Sequence, residues 1–255
     1  MTETTETPYS GLAAVYDRWM AADRVPYRTW AAYITDRLEE ADRPVRSVLD
    51  LCCGTGMTLA MLQERGYEVT GVDASGEMLA HARRRAAPGT RFHRAALPSP
   101  LIAGTGPFDA STCCYDGINY LTSPGQLELV LAQVHGLLRT GGVFVFDLST
   151  RRTFREMAAL GRTSEDFGDF AYLWDTRPVE GTPCFDYLVT VFVREEDGRY
   201  TRTDETHRQR WFSRCELEEA VTAAGLETVC VADDYGTGTL GADTRRETWT
   251  VRRPR

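Results

Sequence analysis

The sequence predicts an α/β protein: a seven-stranded, mostly parallel sheet with helices on both faces, an inserted three-stranded antiparallel sheet, and a helical segment ahead of the first strand. Three observations carry that reading. An apolar run, Ser47-Val48-Leu49-Asp50-Leu51, ends beside an acid and meets the tight turn Cys53-Gly54-Thr55-Gly56 before a helical pattern begins. From Val45 to Leu148, strand and helix patterns alternate, which a parallel sheet with crossover helices produces. Beyond Leu148 the period switches to two, over Asp169–Thr176, Phe185–Arg194 and Tyr200–Phe212, with turn residues at Val179-Glu180-Gly181 and Asp197-Gly198.

The elements follow in order. Residues 1–8 are polar and expected to be disordered, and short helical pieces start at Tyr9. Tyr27, Trp30, Ile34 and Leu38 recur at i, i+3, i+7 and i+11, one apolar helix face that either packs on the domain, covers a ligand, or does both. Gly66 stops the helix after the glycine turn, and Glu68–Asp73 forms a second strand ending in another acid, 17 residues after Gly56. Ser75 caps the next helix, which turns Met78 and Leu79 inward. Arg91–Ala95 and Phe108–Cys114 are the third and fourth strands. Ser123-Pro124-Gly125-Gln126 has the form of a helix start, with Ser123 as cap and Pro124 in the first turn, and that helix is expected to run to Thr140-Gly141-Gly142. Val143–Leu148 is nearly continuous in apolar residues, as a strand buried on both faces should be. A capping box at Ser213-Arg214-Cys215-Glu216 opens the last helix, Gly225 closes it, and Val229–Ala232 and Glu247–Val251 complete the main sheet. The expected division is a helical lid over 1–44, a ligand-binding core over 45–150 and 213–255, and an antiparallel insertion over 151–212.

The 255 residues, 42% hydrophobic and 26% charged, suit an ordinary soluble globular chain with one main core. A net charge of −8 disfavours a nucleic-acid partner, whose phosphates call for Lys and Arg. The Arg83-Arg84-Arg85 cluster reads as the solvated face of a helix. No segment approaches the ~20 apolar residues of a membrane span, and the N-terminus does not look like a signal peptide. Seven cysteines without C-x-x-C spacing suit a reduced, cytoplasmic compartment. Cys52-Cys53 and Cys113-Cys114 end neighbouring strands; because adjacent strand residues face opposite ways, small apolar filler explains them better than a metal site, and no metal is expected.

Asp50, the Cys53-Gly54-Thr55-Gly56 turn and the strand-terminal Asp73 together resemble the class I S-adenosylmethionine-dependent methyltransferases, a Rossmann-like family. A nicotinamide or flavin domain would instead need a third glycine where Leu59 stands. The stretches Tyr9–Asp17, Val25–Trp30, Tyr115–Leu121 and Asp204–Arg210 extend the similarity to bacterial small-molecule methyltransferases, including N-methyltransferases of amino sugars in antibiotic pathways. The resemblance implies that the cofactor is S-adenosylmethionine. It places Tyr16, Asp50, Cys52, Gly54, Gly56, Asp73, Ala74, Met78, Ala96, Leu97 and Cys114 around it, with Asp50 toward the methionine ammonium, Asp73 on the ribose and Met78 against adenine. Two departures stand out: Cys52 replaces a small residue before the turn, and Ala95-Ala96-Leu97 lies where an Asp or Asn commonly reads the adenine amino group.

Because the cofactor carries its own leaving group, the protein's task is alignment, together with removal of the acceptor's proton. Candidates to position or deprotonate the acceptor are Tyr9, Tyr16, Tyr115, Asp116, Asn119 and His207, with Asp116 and Glu205 also favouring a cationic or polar acceptor. A lone strand histidine is more often structural, so His207 holds both readings. The expected reaction is methyl transfer to the amine nitrogen of a small secondary metabolite. A small-molecule O-methyltransferase and a non-catalytic cofactor-binding regulator are the alternatives, and self-association stays open. A DNA amino-methyltransferase would show a Pro-Pro pair where Tyr115-Asp116-Gly117 stands.

Overall fold

The structure, a computed structural model, describes residues 8–102 and 104–255. The expected disorder of 1–8 lies outside the described residues except at Pro8, which sits in a turn. After a 3-10 turn at Leu12–Ala14 come α1 (Tyr16–Ala22) and α2 (Tyr27–Glu39). The α2 periodicity is realised: Tyr27, Trp30, Ala31, Ile34 and Leu38 are its buried residues.

The main sheet begins with β1 (Ser47–Leu51), β2 (Glu68–Asp73), β3 (Phe92–Arg94), β4 (Phe108–Cys113) and β5 (Leu138–Ser149). Between them lie α3 (Met57–Gln63), α4 (Gly76–Arg85) and α5 (Gln126–Leu137). The chain closes with α7 (Arg214–Ala223), β10 (Glu227–Asp233) and β11 (Arg246–Arg252). The seven strands are ordered β10-β11-β5-β4-β1-β2-β3. β1 pairs in parallel with both β2 and β4, while β11 pairs antiparallel with β5 and β10. The chain therefore moves outward from β1 to β3 and returns to β4, which opens a crevice beyond the carboxyl ends of β1 and β4. Among the described residues no helix is long and apolar enough to cross a membrane.

Several local expectations are corrected. The inserted sheet has four strands, not three: β6 (Arg162–Asp166), β7 (Phe170–Pro178), β8 (Cys184–Arg194) and β9 (Tyr200–Arg210), paired antiparallel in that order. It is preceded by α6 (Arg151–Leu160), whose one fully buried side chain, Phe154, stacks on Phe185 at 5.2 Å. A helix anchored by one aromatic and an edge strand reading Arg-Thr-Ser-Glu-Asp leave almost no periodic apolar signal. The α5 start is also different. Gln126 Oε1 accepts from Ser123 N–H at 2.9 Å, half of the anticipated box, but the cap position belongs to Gly125, in the left-handed region at φ 79°. The helix ends at Leu137 rather than at the Gly141-Gly142 pair. Ser75 and Ser213 do cap α4 and α7, accepting from Met78 N–H and Glu216 N–H.

Candidate active site

The crevice at β1 and β4 holds a cavity of about 300 Å³. Its floor is the glycine turn. Cys52 (φ 53°), Gly54 (φ 54°) and Gly56 (φ 78°) all occupy the left-handed region, which bulky residues avoid. The two glycines are needed for different reasons. A Cβ on Gly54 would meet nothing, so its conformation is the requirement. A Cβ on Gly56 would lie 3.1 Å from Ala82 Cβ and 3.2 Å from its Cα, so this glycine lets α3 approach α4. Gly56 itself is not among the residues that line the cavity. The other ten residues assigned to the cofactor by resemblance, Tyr16, Asp50, Cys52, Gly54, Asp73, Ala74, Met78, Ala96, Leu97 and Cys114, all line it.

Asp50 and Asp73 give the cavity its electrostatics. Asp50 is 2% exposed; its Oδ1 accepts from Thr112 Oγ1 at 2.7 Å, while Oδ2 is buried with no hydrogen-bond partner. Burial pushes its pKa up to about 7, against the Thr112 hydrogen bond and with help from the charge of Asp73. A buried carboxylate oxygen left unpaired is costly. An ammonium group arriving in the cavity would supply the missing partner. Asp73 ends β2, where its Oδ2 accepts from Gly54 N–H at 2.8 Å and its Oδ1 from Ser75 N–H at 2.9 Å. Burial raises its pKa in spite of those bonds. Each oxygen retains a lone pair for one of two adjacent hydroxyls, as a ribose offers. The residues present therefore fit a cofactor with an amino-acid end and a nucleoside end.

A second cavity of about 310 Å³ adjoins the first. Tyr9, Tyr16, Tyr115 and Tyr120 line both, forming an aromatic partition between them. Trp19, Tyr172, Trp174 and Tyr187 wall the far side, and Asp116, Arg246 and His207 supply charge or proton chemistry. Tyr9, Tyr16, Tyr115 and His207 thus meet at this second cavity.

Asn119 does not join them. It is fully buried; its Nδ2 donates to Ser149 O at 3.2 Å and Arg210 O at 2.7 Å, and its Oδ1 accepts from Ser149 N–H at 2.8 Å. Three hydrogen bonds commit its amide to joining the turn after β4 to β5 and β9.

Tyr115 and Asp116 hold left-handed backbone at φ 63° and 66°. Asp147, at the carboxyl end of β5, fixes them by accepting from both N–H groups at 2.7 Å, and it also accepts from the Tyr235 hydroxyl. Burial raises the pKa of Asp147 to about 6, opposed chiefly by Arg246. Asp116 Oδ2 in turn accepts from Arg246 Nη2 at 3.0 Å, and that guanidinium lies 4.9 Å from the ring centroids of both Trp30 and Tyr115. The sequence reading missed Asp147, Tyr235, Arg246 and Tyr120. Asp147 carried the signal that revealed Asp50 and Asp73, an acid near the carboxyl end of an apolar strand; Tyr120 lay within the Tyr115–Leu121 stretch without being singled out, and Tyr235 and Arg246 are brought in by tertiary contact alone.

The N-terminal segment is pinned at two places. Asp17 accepts from Thr55 Oγ1 at 2.7 Å and pairs with Arg85 Nη2 at 2.6 Å, tying α1 to the glycine turn. Arg85 is therefore a structural pin rather than part of a solvated face. Glu205, on the buried face of β9, accepts from the N–H groups of Tyr9, Gly11 and Leu12 at 2.7, 2.6 and 2.7 Å. All seven cysteines are free, with Cys52 and Cys114 lining the cofactor cavity and Cys113 packed behind them.

Comparison with known proteins agrees with this geometry. Residues 48–142, from β1 into β5, match a family profile described as a methyltransferase domain. A putative methyltransferase of Bacillus subtilis is 31% identical over 228 residues, covering 89% of this chain and 90% of the relative. The chain belongs to the S-adenosylmethionine-dependent methyltransferases. A Streptomyces fradiae protein named dTDP-3-amino-3,6-dideoxy-alpha-D-glucopyranose N,N-dimethyltransferase is 29% identical over 223 residues, covering 87% of this chain and 86% of that one. Among solved structures, an S-adenosylmethionine-dependent methyltransferase from Clostridium acetobutylicum superposes with a TM-score of 0.84 at 26% identity, over 98% of this chain and 100% of the other. S-adenosylmethionine is the cofactor of this enzyme, and the Asp50 and Asp73 cavity fits it.

Proposed function

We propose that this methyltransferase acts on the nitrogen of a small amine, of the amino-sugar or related secondary-metabolite kind, held in the aromatic cavity beyond the tyrosine partition. The observation that carries the reading is the make-up of that cavity. Its only arginine or lysine among the described residues, Arg246, is already paired with Asp116, while four aromatic rings line the far wall. Such a wall receives a cationic or polar group through ring faces and acidic neighbours. The name of the Streptomyces fradiae relative supports the same acceptor class.

When bound, S-adenosylmethionine supplies an electrophilic methyl group and its own leaving sulfur. The protein then contributes position. Asp50 takes the ammonium end, Asp73 the ribose, and Met78 packs against the base. Tyr9, Tyr16, Tyr115 and Tyr120 enclose the line of approach from the acceptor and keep bulk water out of it. Orientation of this kind covers a large share of a displacement barrier. The acceptor cavity continues, through Tyr115, Ser149, Thr153 and Arg246, into a polar hollow of about 530 Å³, so the amine can be borne on a larger molecule such as a glycoside. Residues 8–44 act as a lid, with Tyr9 and Tyr16 closing over both ligands.

The reading is tested by incubating the enzyme and methyl-labelled cofactor with the amino-sugar nucleotide named for the relative, with benzylamine, and with benzyl alcohol as an isosteric control. Label should enter the amines and not the alcohol. Transfer to the alcohol, or to no member of the set beside an active control enzyme, contradicts it.

A further inference from the structure

Glu205 and His207 are buried polar residues on the inward face of β9, at 8% and 3% exposure, and alignment of the methyl group needs neither of them. They end an unbroken line of hydrogen bonds. His207 Nε2 lies 2.9 Å from Glu205 Oε2, His207 Nδ1 lies 2.8 Å from the Tyr120 hydroxyl, and that hydroxyl lies 2.8 Å from the hydroxyl of Tyr9. Tyr9 borders both the cofactor and the acceptor cavities. We propose that Tyr9 and Tyr120 conduct the acceptor's proton to His207, with Glu205 balancing the charge that arrives there. The proposal rests on the amine reading above, because a bound ammonium must lose a proton before it can accept a methyl group.

Counting donors and acceptors sets the starting state of the histidine. The two oxygens of Glu205 already accept from three backbone N–H groups, a setting in which the carboxylate is the ionised form. Burial works against that charge, but the bonds from His207 and from the Leu12 and Tyr9 N–H groups outweigh it and hold the pKa of Glu205 below its ordinary value. An ionised carboxylate only accepts, so Nε2 of His207 must carry a proton. In the neutral ring the lone pair is then on Nδ1, facing Tyr120. In the resting arrangement the Tyr120 hydroxyl donates to Tyr9; for the transfer both hydroxyls turn about their C–O bonds, so that the proton of Tyr120 goes to Nδ1 and its oxygen accepts from Tyr9.

The transfer balances. One N–H bond of the ammonium breaks and its electron pair stays on nitrogen. The proton joins Tyr9, the proton of Tyr9 passes to Tyr120, and that of Tyr120 passes to Nδ1. Each tyrosine is neutral before and after, which matters because burial raises the pKa of both rings and neither can hold a phenolate near neutral pH. Around His207 the other charged or titratable neighbours are Tyr187, its register partner on β8, and the Asp116–Arg246 pair across the cavity. That pair is neutral overall, so Glu205 is the carboxylate left to balance a charge arriving on the ring. Glu205 also holds Tyr9 through its backbone N–H, in a left-handed conformation at φ 69° that a bulky residue adopts only when constrained. One carboxylate therefore places the entry to the path and stabilises its end.

Two measurements test this. The first is the ¹⁵N spectrum of the imidazoles in the free enzyme at the pH of maximal turnover; the chain has four histidines, and His207→Gln identifies the signal. A neutral ring with its proton on Nε2 is expected. A proton on Nδ1, whether in the other tautomer or in a doubly protonated ring, overturns the path without reference to any substrate. The second is the pH profile of Tyr120→Phe with benzylamine, with the affinity for S-adenosylhomocysteine measured alongside as a check on folding. Its kcat should fall by about 10²-fold near neutral pH, the scale of general acid–base catalysis, and then recover about tenfold per pH unit as free amine becomes available from solution. A deficit that stays constant with pH, or no deficit, refutes the path while leaving methyl transfer to amines intact. If the wild type fails to methylate benzylamine and the amino sugar alike, the amine reading falls, and the proton path falls with it.

Discussion

Replacing Asp50 with Asn tests the electrostatics of the cofactor cavity most sharply. Asp50 presents an unpaired buried oxygen, and its pKa is raised from 3.8 to about 7 chiefly by burial. The cofactor's ammonium selects the ionised form. At pH 6 only about a tenth of the free enzyme has Asp50 ionised, so the affinity should be about tenfold below its plateau near pH 8, close to 1.4 kcal/mol. It should fall further as the pH drops, with a slope approaching one. The sign is opposite for the free protein. A folded-state pKa above the ordinary value gives stability that is complete below pH ~4 and lost as the pH rises toward 7, so ligand stabilisation should be greatest at neutral pH and above. Titration calorimetry with S-adenosylhomocysteine, in two buffers of different ionisation enthalpy, should show about 0.9 proton released on binding at pH 6. Asp50→Asn should remove the slope and lower the plateau affinity by about 1.5–3 kcal/mol. A wild-type affinity independent of pH between about 5.5 and 7.5 would refute the assignment, and a slope that survives in the Asn variant would move the titration to Asp73.

Three other outcomes are expected. Asp73→Ala should weaken S-adenosylhomocysteine by about 1.5–3 kcal/mol in the same titration, and unchanged affinity would take the carboxylate off the ribose. Asn119→Ala removes three buried hydrogen bonds, so thermal denaturation should show a loss of about 1–3 kcal/mol with ligand affinity little changed; an unaltered melting temperature with a large drop in kcat would return Asn119 to the acceptor chemistry. Hydrogen exchange over residues 9–22 should slow when S-adenosylhomocysteine binds, because Tyr9 and Tyr16 line its cavity; equal protection with and without ligand would make the segment a fixed packing element.

What was legible in the sequence was local. Asp50 and Asp73 declare themselves because a strand, its terminal acid and the turn beside it lie within a few residues of one another. The α2 face was readable for the same reason: Tyr27, Trp30, Ile34 and Leu38 share one helical stripe. Gly56 belongs to the same motif, but its close approach to Ala82 on α4 could not be placed from the turn alone. Asn119 sat in a suggestive motif, yet its partners are backbone groups at Ser149 and Arg210, 30 and 91 residues away. Tyr235 and Arg246 had no signal of their own, and Tyr120 only its place in the Tyr115–Leu121 stretch, because what matters about each is a partner brought close by the β5–β11 pairing or by the inserted sheet. β6 escaped notice because a polar edge strand has no buried face to impose alternation.

The claim on which the account depends is that the methyl group reaches nitrogen. Transfer from ¹³C-methyl-labelled cofactor to a ¹⁵N-labelled amine, followed by NMR of the product, reads the new bond itself. A ¹³C methyl signal coupled to ¹⁵N is the predicted result; a methyl signal without that coupling, on oxygen or carbon, would contradict it.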